Sequence, residues 1–113
     1  MRLQYSELDN GIRLIKLKGT LDTNGVSKVE VEFVRRCSGE NVCVLVDLSK
    51  VNYISSIGIP MLINSAKSVA KNGGKMALLK PQNNVENILE MTGIPLIVPI
   101  HHDLDAAVAA IHK

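Results

Sequence analysis

The run Val42-Cys43-Val44-Leu45-Val46 constrains this chain more than any other feature. Successive side chains of a strand point to opposite faces, so five apolar residues in a row need cover on both sides. A strand of that kind belongs in the middle of a layered α/β domain, and the rest of the chain must supply the covering elements.

The surrounding sequence reads that way. Residues 3–8 alternate weakly, as an edge strand does. Asp9-Asn10-Gly11 is a turn signal, because Asn-Gly accepts positive φ cheaply. Ile12, Leu14 and Leu17, with Arg13, Lys16 and Lys18 between them, mark a second strand. The alternation is broken by Ile15, and the two runs form a hairpin. In the segment that follows, Asp22, Thr23 or Asn24 can each cap a helix. Val26, Val29, Phe33 and Cys37 then recur at helical spacing. After the central run, Asp47-Leu48-Ser49 reads as the end of its strand, and Val51-Asn52-Tyr53-Ile54 as a lead into Ser55-Ser56-Ile57-Gly58. The next helix turns Met61, Leu62, Ala66 and Val69 inward and stops at Asn72-Gly73-Gly74. Residues 76–79 form another buried strand, closed by Pro81. Val85, Ile88, Leu89 and Thr92 make a third helical stripe, ended by Gly93 and Pro95. Residues 96–100 read as the last strand. Asp103 caps a final helix with Leu104, Ala107, Val108 and Ile111 on one face. The order β-β-α-β-α-β-α-β-α predicts one α/β domain over residues 1–113, with a mixed β-sheet, an N-terminal hairpin and about four helices. In so short a chain, one sheet face is expected to carry more helix than the other.

Composition narrows the function. The charged share is 21%, the formal net charge is +2, and aromatics are only 3%. Basic residues are scattered, without the stripe and stacking aromatics of a nucleic-acid binder, so no nucleic-acid partner is expected. No apolar run reaches membrane length and the N-terminus is no signal peptide, so no membrane partner and a cytoplasmic location are expected. Cys37 and Cys43 lack any CxxC or nearby His pattern and read as free thiols; neither a metal nor a cofactor is expected. An enzyme would need a nucleophile with its base. His101 and His102 at a strand end point to opposite sides, and His112 lies at the terminus. Asp22 and Asp47 could bind Mg²⁺ but more often act as caps or turn residues. Gly73-Gly74 lacks the spacing of a phosphate-cradling loop. The expectation is a binding protein and not an enzyme.

The chemistry concentrates where the central strand gives way to a helix. Ser55 and Ser56 sit at the carboxyl edge of the sheet, where open α/β sheets place their ligand sites, and at the positive end of a helix. Phosphorylation adds about −1.5 to −2 charges, which a helix N-terminus tolerates and a docked partner does not. The plainer reading is that one serine is only an N-cap. Pro60 biases Ile59 away from helical dihedrals, so the regular helix is expected near Pro60, with residues 55–59 as an exposed loop.

The stretch Asp47-Leu48-Ser49, Tyr53-Ile54, Ser55-Ser56-Ile57-Gly58-Ile59 resembles the signature of STAS domains: Asp-Leu-Ser, an apolar pair, then Asp-Ser-Ser/Thr-Gly-Leu. Gly19-Thr20-Leu21-Asp22, Asn72-Gly73-Gly74-Lys75 and Met91-Thr92-Gly93-Ile94 are similar to other landmarks of that family, in the right order. The resemblance implies a bacterial anti-sigma factor antagonist, an anti-anti-sigma factor. Its partner is an anti-sigma factor with serine kinase activity, which uses ATP to phosphorylate the serine after the signature Asp; a phosphatase reverses the reaction. That serine aligns with Ser56, with Ser55 as second choice. The implied partner surface comprises Asp22, Thr23, Asn24, Ser55, Ser56, Ile57, Gly58, Ile59 and Met61. Ser55 stands where the family has Asp, Ile57 where it has a second Ser or Thr, and Pro60 where it has a small residue. The alternative is a phosphorylation-independent scaffold or accessory subunit of a signalling or lipid-transport complex, docking through an exposed patch of Ile57, Ile59 and Met61. Pairing of the edge strand at residues 3–8 gives a weak route to a homodimer.

Overall fold

The computed structural model describes residues 1–112. One five-stranded sheet organises them, in the order β1-β2-β3-β4-β5. Strand β1 (Arg2–Glu7) pairs antiparallel with β2 (Arg13–Leu21), and Gly11 takes the positive φ of the hairpin turn at 82°. The other pairings are parallel: β2 with β3 (Cys43–Ile54), β3 with β4 (Lys75–Leu79), and β4 with β5 (Ile100–His101). The expected mixed sheet is present, with β3 at its centre.

Four α-helices cover the sheet: α1 (Thr23–Arg36), α2 (Gly58–Lys71), α3 (Asn83–Met91) and α4 (Leu104–Ile111). The first three pack on one face. There Phe33, Leu62, Val69, Val85 and Leu89 meet Ile15, Leu17, Val44, Val46 and Leu78 in the larger apolar cluster. Helix α4 packs on the other face, where Ala107 and Ile111 cover Ile12, Leu14, Leu45, Ala77 and Leu79. The unequal cover expected of a short chain is therefore observed. It also accounts for Ile15: its neighbours Leu14 and Ile12 serve the α4 face while Ile15 and Leu17 serve the other, so no alternation is broken.

Two expectations need correction. Strand β3 does not end at Asp47-Leu48-Ser49 but runs to Ile54, 12 residues in all. Beyond Asp47 it loses β4 as a neighbour and continues beside β2 alone, with register shifts between Lys16 and Lys18 and between Gly19 and Thr20. At each shift β3 carries one residue more than β2, a bulge. The inward series Val44, Val46, Leu48 therefore continues as Val51 and Ile54, stepping by three instead of two. That broken period is what made the sequence look like the end of a strand. The second correction concerns residues 96–100. Ile94–Leu96 is a 3-10 turn and β5 is only two residues long. Pro95 and Pro99 supply no amide hydrogen to a ladder, while the Pro99 carbonyl still accepts from Leu78 N at 2.9 Å.

Candidate functional site

Strands β2 and β3 end side by side, with Leu21 opposite Ile54, and each leads into a helix at the same edge of the sheet. At the end of β2, Asp22 is the N-cap of α1, its Oδ1 accepting from Gly25 N at 2.8 Å. Of the three cap candidates, Asp22 takes the role, and Thr23 and Asn24 lie exposed in the first turn.

At the end of β3, Ser55 is tied to its neighbour strand. Its backbone N donates to the Leu21 carbonyl at 3.0 Å, and its hydroxyl reaches the same oxygen at 3.3 Å. The Ser55 carbonyl in turn accepts from Gly58 N at 3.0 Å, closing a turn over Ser56 and Ile57. Helix α2 begins at Gly58 with Ile57 as its N-cap and no side-chain cap. Neither serine is therefore the cap, and the plainer reading of the pair is removed. Ser56 is exposed at the tip of the turn, and its hydroxyl enters no hydrogen bond within the described residues. No acidic side chain stands in the first turn of α2, so the positive end of that 14-residue helix is uncompensated beside Ser56.

The helix starts two residues earlier than the Pro60 argument predicts. A proline is tolerated in the first turn, where its missing N–H has no partner to lose. Gly58 permits the close approach: a Cβ there would stand 2.9 Å from both the Leu21 carbonyl oxygen and Leu21 Cγ. The early start buries Gly58, Ile59 and Met61, with Ile59 at 6% and Met61 at 4% exposure. The expected exposed patch of Ile57, Ile59 and Met61 is corrected accordingly: only Ile57, 48% exposed, faces out. Gly58, Ile59 and Met61 seat the turn from below. Asp22 and Ser55 are half-buried, and Thr23, Asn24, Ser56 and Ile57 form the outer surface.

One surface residue was read in the sequence only as half of an apolar pair. Tyr53 is 49% exposed on the bulged end of β3, three residues before Ser56. An aromatic among so few in the chain, two residues before a serine pair, was the available signal. The extension that carries it is braced from outside the sheet. Gln82 Nε2 donates to the Ser49 carbonyl at 3.0 Å and Asn84 Nδ2 to the Asn52 carbonyl at 2.8 Å. On the other side, Thr20 Oγ1 donates to Asn52 Oδ1 at 2.7 Å. These side chains supply partners that β4, already ended, does not.

The remaining candidates lie elsewhere. His102 pairs with Glu86 at 2.8 Å, and Asp47 Oδ1 accepts from Ser49 N at 2.8 Å at the first bulge. Asp22 is occupied as a cap. Burial pushes the Cys37 thiol up to about 12, against weaker opposing effects of Arg13 and a Ser65 hydrogen bond, so it stays protonated. Among the described residues no group of three or more His, Cys, Asp or Glu is placed to hold a metal ion, and no helix is long and apolar enough to cross a membrane.

Comparison with known proteins agrees with the architecture. The STAS domain family model matches residues 6–107, and the chain belongs to that family. BtrV of Bordetella bronchiseptica, which carries the name of an anti-sigma factor antagonist, is 26% identical over 110 residues, 97% of this chain and 94% of that protein. The anti-sigma F factor antagonist of Paenibacillus polymyxa is 27% identical over 105 residues, 89% of this chain and 88% of its own. The solved structure of SpoIIAA in its unphosphorylated form covers 96% of this chain and of itself at a TM-score of 0.77 and 15% identity. Its phosphorylated form, described as a Bacillus cell fate determinant, covers 96% of this chain and 99% of itself at a TM-score of 0.68 and 13% identity.

Proposed function

We propose that this protein is an anti-sigma factor antagonist, switched by phosphorylation of Ser56. In this reading its partner is an anti-sigma factor that is also a serine kinase. The partner's ATP supplies the phosphate and a phosphatase removes it. Unphosphorylated, the chain holds the anti-sigma factor and leaves the sigma factor free to direct transcription. It acts by binding and performs no catalysis of its own.

The observation that carries this reading is the turn at Ser56. Its hydroxyl is exposed and uncommitted at the entry of an uncapped 14-residue helix. Phosphoryl transfer would form a bond from Ser56 Oγ to the γ-phosphorus of the partner's ATP, release ADP, and pass the hydroxyl proton to a base on the partner. The product dianion would meet the helix's positive end without unfolding its own domain. It would also stand at the sheet edge that exposes Thr23, Asn24 and Ile57, the surface a partner must cover in this reading, where a new unpaired charge opposes docking. Relatives of similar length named as anti-sigma antagonists, and a fold-mate solved with and without phosphate, support the same reading.

One observation favours a second reading. Ser55 occupies the place of the signature carboxylate, and its hydroxyl is turned to the Leu21 carbonyl. A constitutive, phosphorylation-independent scaffold would need no carboxylate there. Incubation with kinase-type anti-sigma factors and ATP, followed by intact mass measurement, separates the two. The switch requires a gain of one phosphate that Ser56→Ala abolishes. Phosphate kept in Ser56→Ala and lost in Ser55→Ala moves the site by one residue. A stable complex that never gains phosphate selects the scaffold.

A further inference from the structure

Helix α4 covers only part of its face of the sheet; the end formed by β1, β2 and the bulged stretch of β3 carries a cleft of about 260 Å³ on that sheet. Its cations are set by register. Arg2 on β1 lies directly opposite Lys18 on β2, and Lys18 directly opposite Lys50 on β3. Lys16 joins them one step along, opposite Gln4 on one side and Asp47 on the other. Neighbouring strands are about 4.8 Å apart, so three like charges in line across three strands repel and weaken the sheet. The first β3 bulge creates the alignment: without its extra residue, Lys18 would oppose Ser49 instead of Lys50.

Nothing in the cleft compensates this charge fully. Asp47 is its one carboxylate, and one of its oxygens already accepts from Ser49 N at 2.8 Å. Among the described residues, Arg2, Lys16, Lys18 and Lys50 take part in none of the ion pairs, which involve Glu32 and Glu86 elsewhere. All four are exposed. The cleft has no aromatic lining, and the Arg2 guanidinium is the one planar group in it. Charge is its means of recognition, and its size suits one or two phosphate groups.

We propose that this cleft binds a compact phosphate polyanion of the pyrophosphate class. The site is separate from the turn at Ser56 and does not depend on the antagonist reading. An anion bridging Lys18 to Arg2 and Lys50 would turn the repulsion across the strands into attraction, and Lys16 would hold its second phosphate.

The test is a titration of the ¹⁵N-labelled protein with pyrophosphate, at ionic strength held constant with sodium chloride. Saturable amide shifts are expected at residues 2, 4, 16–18 and 47–50, together with a pyrophosphate-dependent rise in Tm. Lys18→Gln combined with Lys50→Gln should weaken binding at least tenfold; in the absence of ligand it should raise Tm by relieving repulsion. Lys16→Gln, in a strand whose core side chains are unchanged, provides a second variant, expected to weaken binding severalfold. Lys67→Gln, on the outer face of α2, should leave binding unchanged. Shifts reproduced by chloride alone, equal affinity for sulfate, or saturable shifts confined to residues 23–25 and 56–59 would each overturn the proposal.

Discussion

The two faces of the sheet are finished in different ways. On the face of α1, α2 and α3, the buried cluster runs without a break from Phe33 through β3 to Val98. On the face of α4, the buried residues of the cluster are two from the helix, four from the strands beneath it and Ile12 just before β2, and the surface beyond them is polar and cationic. The same strands serve both faces. What separates them is how many helices a short chain can lay down: three helices have the area to close a face and one does not. The closed face gives the fixed frame against which Leu21, Ser55 and Gly58 hold the exposed turn. The half-open face keeps charges that a covered sheet could not accommodate.

That contrast can be broken or sharpened by experiment. The largest effect is expected from Phe33→Ala on the closed face, a loss of about 3–5 kcal/mol from truncating a fully buried aromatic. Ile111→Ala on the other face should cost about 2 kcal/mol, the low end for such truncations, because the short α4 can settle into the space. Equal losses in urea unfolding would show that the second cluster is as tightly packed as the first. Gly58→Ala comes next. Its Cβ would meet Leu21 at 2.9 Å, so about 1–3 kcal/mol of overpacking is expected, with displacement of the Ser56 turn read from amide shifts at residues 55–59.

A pH effect, confined to alkaline conditions, follows from Cys37. Burial raises its folded pKa to about 12 from an ordinary 9.0, so its stabilising contribution is complete below pH 9 and is lost as pH rises towards 12. Within that window the unfolded thiol ionises and the folded one does not. Stability should therefore fall by up to about 1.4 kcal/mol per pH unit, a slope that Cys37→Ala removes. Thiol labelling of the native protein should modify half-buried Cys43 well before Cys37. The smallest effect is expected from Ser56→Ala, within about 0.5 kcal/mol of the parent in thermal unfolding, because the hydroxyl holds nothing in place. A larger loss would mean that the turn depends on Ser56 structurally, and would remove the separation between switch and frame on which the proposed function rests.

The site was legible in the sequence as far as local chemistry reaches. A covered strand, two serines and a helix start are contiguous, and their order placed Ser56 at an exposed strand-to-helix turn before any coordinates. Ile59 was misjudged because its burial depends on where α2 begins; Met61, read both as an inward helix residue and as part of the patch, is buried as its helical spacing had it. That start is decided by Leu21, 37 positions before Gly58 in the chain and accessible to no local rule. Tyr53 was read only as half of an apolar pair, because nothing local shows that β3 runs on past β4 and leaves that stretch uncovered.

By itself, then, the sequence determined the alternation of strands and helices, the apolar faces and most of the stops, since each follows from the spacing and conformational preferences of neighbouring residues. The tertiary structure alone decided which strands lie side by side, how far β3 runs past β4, which carbonyls Gln82 and Asn84 satisfy, and that Arg2, Lys18 and Lys50 line up. Those outcomes depend on register between segments distant in the chain. Register is fixed by the packing of both sheet faces together, a property that no single stretch of residues contains.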